Sequence, residues 1–205
     1  MTSTNKVIVI GRQFGSGGQE LGKLLSEKLG IAYYDKNLLY EVAEKYGYNK
    51  SVFDNADERK PSFFRSILSM TYGATYTDTM GNYLCNERLY DAQSKIIRQL
   101  ASENDCIFVG RTADYITRDF PNLISIFLHA DLSDRAKRIC CRCDCQDINN
   151  AIELAKKQDK LREEYYNYFT GRNWGNATNY DMSFNTSKLS IAEIANIIIN
   201  YLENK

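Results

Sequence analysis

Lys6 to Ile10 is a short β-branched run, and Gly11, Gly15, Gly17, Gly18 and Gly22 follow it immediately. The stretch from Glu20 to Leu29 then carries Leu21, Leu24, Leu25 and Leu29 at helical spacing. Strand, glycine loop and helix therefore succeed one another within about thirty residues, and that order restricts the chain to α/β architectures. Gly30 stops the helix. Ile31 to Asp35 reads as a second short strand that delivers Asp35 to its carboxyl end.

The pattern beyond agrees. Lys36 to Lys45 reads as a helix, and Tyr48 to about Leu84 as a mobile helical excursion without a clean period. Asn86 to Ser102 returns to helix periodicity. Cys106 to Val109 and Leu123 to Leu128 are buried-type strands, ending on Gly110-Arg111 and on His129. Ser133 to about Cys141 is expected as a helix capped by Ser133, and Ala151 to Phe169 as a long charged helix. Met182 to Phe184 is a last short strand. Ser190 to Leu202 closes the chain as a helix, with Ser190 and Glu193 in the positions of a capping box. Alternation of this kind gives a parallel sheet covered on both faces, with ligands outside the carboxyl ends of its strands.

Composition narrows the function. The 205 residues are 43% hydrophobic, enough for a continuous core. Lys+Arg and Asp+Glu both number 26, so no sequence-wide basic field exists to hold nucleic acid or an anionic membrane, and neither partner is expected. The apolar runs fall far short of the roughly 20 residues of a membrane helix, and MTSTNK lacks the apolar core of a signal peptide. A cytoplasmic protein is expected, with its six Cys mostly as thiols. Cys140, Cys141, Cys143 and Cys145 are crowded and have no nearby His, a poor spacing for zinc. The single His, His129, excludes His relays.

In Gly15-Ser16-Gly17-Gly18, successive backbone N–H groups aimed at a helix N-terminus make a cradle suited to phosphates. A dinucleotide fingerprint requires a third glycine where Glu20 stands, so that reading falls. A standard P-loop requires Lys and Ser/Thr where Gly17-Gly18-Gln19-Glu20 runs. A glycine turn that only permits close packing is the plain alternative.

GRQFGSGGQELG (Gly11 to Gly22), LGIAYYDK (Leu29 to Lys36), VGRTADYI (Val109 to Ile116), IFLHADLSDRAKR (Ile126 to Arg138), YYNYFTGRNWG (Tyr165 to Gly175) and NYDMSFNTSKLSI (Asn179 to Ile191) together resemble the cytidylate kinase-like family. The resemblance implies a P-loop NTPase-type parallel sheet flanked by helices, with a helical monophosphate-binding insert at about 48–84 and a lid at about 140–172. The core would then be 1–47, 85–139 and 173–205. It also implies ATP, Mg²⁺ and nucleotide substrates, with CMP or dCMP as acceptor.

Carried over residue by residue, the resemblance puts Asp35 near the acceptor and Arg111 at the Arg of an Asp-Gly-Arg-Asp motif. Val109 and Thr112 stand where that motif has its Asp residues. Asp159-Lys160-Leu161-Arg162 keeps an Asp-x-x-Arg whose Arg contacts phosphates. The P-loop Lys position is Gly18 and the Ser/Thr position is Glu20. Gly15, Ser16, Gly17, Gly18, Gln19 and Glu20 are thus the nucleotide-binding candidates. Arg12, Arg111 and Arg162 are the catalytic candidates, offsetting the absent Lys with planar forks that suit phosphates. Asp35 and Arg111 would hold the acceptor, and Glu20 or Asp35 would ligate Mg²⁺. Two other readings stay open, a non-catalytic nucleotide sensor and a kinase of another small metabolite. Oligomeric state is open as well.

Overall fold

The computed structural model describes residues 5–35, 82–143 and 147–204. Lys36 to Lys45 and most of the expected insert lie outside them. The chain divides into two compact units, one of residues 1–36 with 100–205 and one of residues 37–99. Five strands, β1 (Val7–Arg12), β2 (Ala32–Tyr34), β3 (Cys106–Val109), β4 (Leu123–His129) and β5 (Met182–Asn185), form one sheet in the order β2-β3-β1-β4-β5. Every pairing is parallel, with Val7 opposite both Cys106 and Leu123. The helices are α1 (Gly18–Leu29), α2 (Asn82–Glu103), α3 (Ala113–Ile116), α4 (Leu132–Cys143), α5 (Ile148–Thr170) and α6 (Ile191–Glu203). Among the described residues no helix is long and apolar enough to cross a membrane.

The period-2 alternation of the strands decides which side chains meet which helix. Ile8 and Ile10, Ile107 and Val109, and Ile126 and Leu128 point to one face, where Leu21 and Leu25 of α1 and Ile194 and Ile198 of α6 complete a core closed to water. On the other face Phe127 meets Trp174 edge-on at 5.4 Å and Tyr180 at 4.9 Å. The aromatic-rich segment after α5 thus packs onto the sheet, while Tyr168 remains 55% exposed. Small residues let α4 and α5 approach closely: Ala136, Ala151 and Ala155 are fully buried together with Ile139.

Element ends depart from expectation where backbone turns outrank side-chain caps. Helix α4 opens at Leu132, with the amides of Asp134 and Arg135 turned back to the Asp131 carbonyl, so Ser133 lies inside the first turn and is not the cap. Helix α5 begins earlier than its apolar period, because the Asp147 side chain accepts from the Asn149 amide at 2.9 Å. The Ser190–Glu193 capping box forms as read.

Candidate functional site

The parallel order brings the carboxyl ends of β1, β2 and β3 to one edge, and the glycine loop crosses it. Inside the loop the carbonyls face the protein. Arg138 Nη1 donates to the Gly15 carbonyl at 3.0 Å and Thr186 Oγ1 to the Ser16 carbonyl at 3.0 Å. Ser16 is fully buried, its hydroxyl directed at the carbonyls of Gln13 and Leu128 and its amide at Gln13. Its part is therefore to hold the loop's shape. The amides of Gly15, Gly17, Gly18, Gln19 and Glu20 meet no acceptor among the described residues, and the first inward N–H is that of Leu21, which donates to the Gly17 carbonyl. No side chain caps α1. Unpaired amides at the positive end of a helix dipole are a ready seat for an anion.

Arg12 leaves β1 and runs across this loop. A Cβ added at Gly18 would stand 2.8 Å from Arg12 Cγ, and one at Gly110 would stand 1.6 Å from Arg12 Nη1. Both positions must be glycine for the side chain to lie as it does. Gly110, Arg111 and Thr112 follow one another with φ of 76°, 63° and 52°. Such a left-handed run is strained for the two residues bearing a Cβ. It is closed by an Ala113 amide to Gly110 carbonyl bond of 3.2 Å and by the Thr112 hydroxyl donating to the Arg111 carbonyl at 2.6 Å.

Arg162 comes from α5. Its Nη1 donates to the Arg12 carbonyl at 2.9 Å, and its guanidinium lies 5.3 Å from the Phe14 ring centre. Burial, then Arg162 and Arg111, hold Arg12 well below the ordinary arginine value, with Tyr33 and Asp35 opposing. Burial also lowers Arg162 to about 10, where Asp159 opposes and Arg111 and Arg135 add to the lowering. Among the described residues neither Arg12 nor Arg162 forms a salt bridge. Three guanidinium groups thus crowd one edge of the sheet, and a polyanion placed there would relieve their repulsion.

The sequence marked Arg162 and left its partner in the same motif, Asp159, without a role. Asp159 Oδ1 accepts from the Phe14 amide at 2.7 Å, and its Oδ2 pairs with Arg135 Nη1 at 2.5 Å. Arg135 in turn donates to the carbonyls of Ala130 and Phe14. Both ends of the Asp-x-x-Arg segment therefore grip the glycine loop. The spacing that puts two polar residues on one helix face was the available signal.

Asp35 sits just beyond β2, with Tyr33 Oη 3.3 Å from its Oδ2. Burial, and then Asp35, raise Tyr33 to about 12. Glu20 lies in the first turn of α1, 53% exposed, and pairs with Arg142 at 3.4 Å. Among the described residues no group of three acidic, His or Cys side chains is arranged to hold a metal. A Mg²⁺ that arrives with a nucleotide keeps most of its waters and needs only one or two carboxylates, so Asp35 and Glu20 fit the ion as single donors. Among the described residues Cys106, Cys140 and Cys141 form no disulfide.

A five-stranded parallel sheet flanked by helices, with a glycine loop between β1 and α1, defines a P-loop kinase fold. Solved structures share it: a shikimate kinase from Acinetobacter baumannii (TM-score 0.53, 15% identity, 99% of this chain and 96% of that one) and a gluconokinase from Sinorhizobium meliloti 1021 (0.54, 16%, 95% and 89%). A chain from Eubacterium ventriosum ATCC 27560, described as an uncharacterized protein, is closer in shape, with TM-score 0.74 and 28% identity over 98% of this chain and all of that one. The sequence pattern of the cytidylate kinase-like family matches residues 7–188, and the chain belongs to that family. A cytidylate kinase of Saccharolobus islandicus is 30% identical over 110 residues, 54% of this chain and 57% of that protein, so the chain matches little more than half of its length. That of Pyrobaculum aerophilum is 21% identical over 196 residues, 95% of this chain and 91% of the other.

Proposed function

We propose that the chain is a cytoplasmic, ATP-dependent nucleoside monophosphate kinase with CMP or dCMP as acceptor. One observation carries the proposal: five loop amides without acceptors open beside Arg12, Arg111 and Arg162. Phosphoryl transfer asks a protein mainly for positioning and for neutralisation of charge on the moving group. The loop amides of Gly15 and Gly17 to Glu20 seat the donor phosphates, and Arg12 supplies the charge that a P-loop lysine at Gly18 would bring. Arg111, fixed by its strained turn, holds the acceptor phosphate with Asp35 nearby. Arg162 neutralises charge on the transferred group. Mg²⁺, when bound, adds charge neutralisation at the phosphates, with Asp35 or Glu20 as its protein oxygens. Residues 48–84 serve as the monophosphate-binding insert and 140–172 as the lid in this reading.

Gly18 at the lysine position and the apolar Val109 at a motif Asp position favour a second reading, a nucleotide sensor without turnover. A coupled ADP-release screen over CMP, dCMP, UMP and other small acceptors, with Mg²⁺ or Mn²⁺, separates them. CMP-dependent ADP release is expected. ATP binding with no transfer to any acceptor would establish the sensor, and release with only a different acceptor would establish a metabolite kinase.

A further inference from the structure

Gly22 lies in the second turn of α1, past the phosphate-facing amides, and is buried. Glycine weakens a helix interior, so its place there needs a packing reason. A Cβ at Gly22 would stand 2.7 Å from Tyr33 Cε2 and 3.0 Å from Val109 Cγ2. The missing side chain is thus the socket for the Tyr33 ring, which packs against the core cluster that includes Val109. Tyr33 is paired with Ile107 on the core face of the sheet, whereas Tyr34 turns to the other face and stacks on Phe108 at 5.5 Å. Residues two apart in an extended chain share a face. The same alternation therefore sets Asp35 beside the phenol, and Tyr33 Oη donates to Asp35 Oδ2 at 3.3 Å. A phenylalanine ring would fill the socket equally well, so packing accounts for the ring and not for its hydroxyl.

We infer that Tyr33 is a positioning residue for the acceptor nucleotide, its hydroxyl holding the Asp35 carboxylate in the orientation that meets the acceptor. The inference rests on the kinase reading above. A carboxylate only accepts hydrogen bonds, and the donors that CMP brings are its sugar hydroxyls and its amino group. Asp35 follows a three-residue strand at the edge of the sheet. Ordering its side chain in advance spares the ligand that cost. A phenol, protonated at neutral pH, orients the carboxylate without cancelling its charge.

The test is a double-mutant cycle on Tyr33→Phe and Asp35→Ala, read by melting temperature, by titration with CMP and with ATP free of Mg²⁺, and by steady-state kinetics of CDP formation. Phenylalanine keeps the ring in the Gly22 socket. Expected for Tyr33→Phe are a melting temperature close to that of wild type, CMP binding at least ~3-fold weaker as for a lost hydrogen bond, unchanged ATP binding, and a KM for CMP that rises by more than kcat falls. In the Asp35→Ala background the change at Tyr33 should add little further loss of CMP binding, because the two residues act as one unit. CMP binding that holds in Tyr33→Phe, an equal loss of CMP and ATP binding, a variant that fails to fold or melts well below wild type, or an effect undiminished in Asp35→Ala would overturn it. Wild type that binds CMP without forming CDP overturns the kinase reading alone, and the cycle on CMP binding still decides Tyr33. Wild type that binds no CMP overturns both.

Discussion

The Tyr166 hydroxyl donates a buried 2.7 Å hydrogen bond to Asp114 Oδ2, joining α5, which carries Arg162, to the short helix behind Arg111. Burial pushes the Asp114 carboxyl up, while the bonds from Tyr166 and the backbone and the charge of Arg172 pull it down. Burial, and then Asp114, also push the Tyr166 phenol up. One bond thus holds both arginine-bearing segments, and it favours the ionised form of Asp114.

Replacing Tyr166 with Phe leaves that buried carboxylate with its backbone donors alone, at a cost of about 1–3 kcal/mol. The sign with pH follows from the raised folded value. A carboxyl whose folded pKa exceeds its unfolded one contributes stability below the unfolded value, and that contribution is lost as pH rises through the folded value. Removing Tyr166 raises the folded value further, so the loss deepens. The melting-temperature gap between wild type and Tyr166→Phe should therefore be small near the ordinary carboxyl value of 3.8 and widen toward pH 7. A gap equal or larger at acid pH would contradict this role for Tyr166.

Much of this arrangement was legible beforehand, because its signals are local. The β-branched runs and leucine spacing placed all five strands and the start of the core, and the glycine cluster placed the loop. Arg12, Arg111 and Arg162 were marked separately; the parallel order of β1 and β3 brings Arg12 and Arg111 to one edge, and α5 brings Arg162 to the Arg12 carbonyl. The parts of Asp114 and Asp159 in this arrangement were not legible. Asp159 sits among Lys156, Lys157 and Lys160, where a charged helix face hides a residue turned inward, and its partner Phe14 lies 145 positions away. The glycine loop also serves packing. Gly17 has φ 90°, and a Cβ there would stand 2.7 Å from Ile191 Cδ1, so a valine at this position would disturb folding along with binding.

Placing a lysine at Gly18 should not improve the proposed phosphoryl transfer. The new Cβ falls 2.8 Å from Arg12 Cγ, so Gly18→Lys displaces the Arg12 side chain. Arg12→Ala and Gly18→Lys should each lower kcat by at least ~10-fold, or about 1.4 kcal/mol. The double variant should exceed either single one, because removing the Arg12 stem frees the space the lysine needs. Steady-state kinetics on the three proteins checks this. A double variant no better than Gly18→Lys would show that Arg12 and position 18 do not compete.

Asp35→Asn should raise the Mg²⁺ concentration for half-maximal activity more than Glu20→Gln does. Glu20 is half-exposed and already engaged by Arg142 at 3.4 Å, whereas Asp35 lies close enough to Arg12 to oppose the lowering of its pKa. In the proposed site both carboxylates are single donors, so neither change should abolish activity in excess Mg²⁺. Titration of the metal at saturating ATP gives the comparison. Equal, unshifted curves for both variants would remove these carboxylates from the metal site.

Arg162 holds the loop and is proposed to act on the transferred phosphoryl group, and the two roles have different signatures. As a strap it donates to the Arg12 carbonyl at 2.9 Å and covers Phe14. Losing that alone would lower the melting temperature and leave kcat per folded molecule intact. As a charge on the moving group it would act in the transition state more than in the bound complex. Arg162→Ala should then lower kcat at least ~10-fold, about 1.4 kcal/mol, with ATP affinity little changed. Arg162→Lys keeps the charge and gives up the planar fork, so it cannot serve carbonyl and phosphate with one geometry. Its kcat should fall between those of wild type and Arg162→Ala, with a melting temperature nearer to Arg162→Ala. If kcat per folded enzyme is the same in all three proteins while the melting temperature drops, Arg162 is a structural strap and the phosphate is neutralised by Arg12 and Arg111.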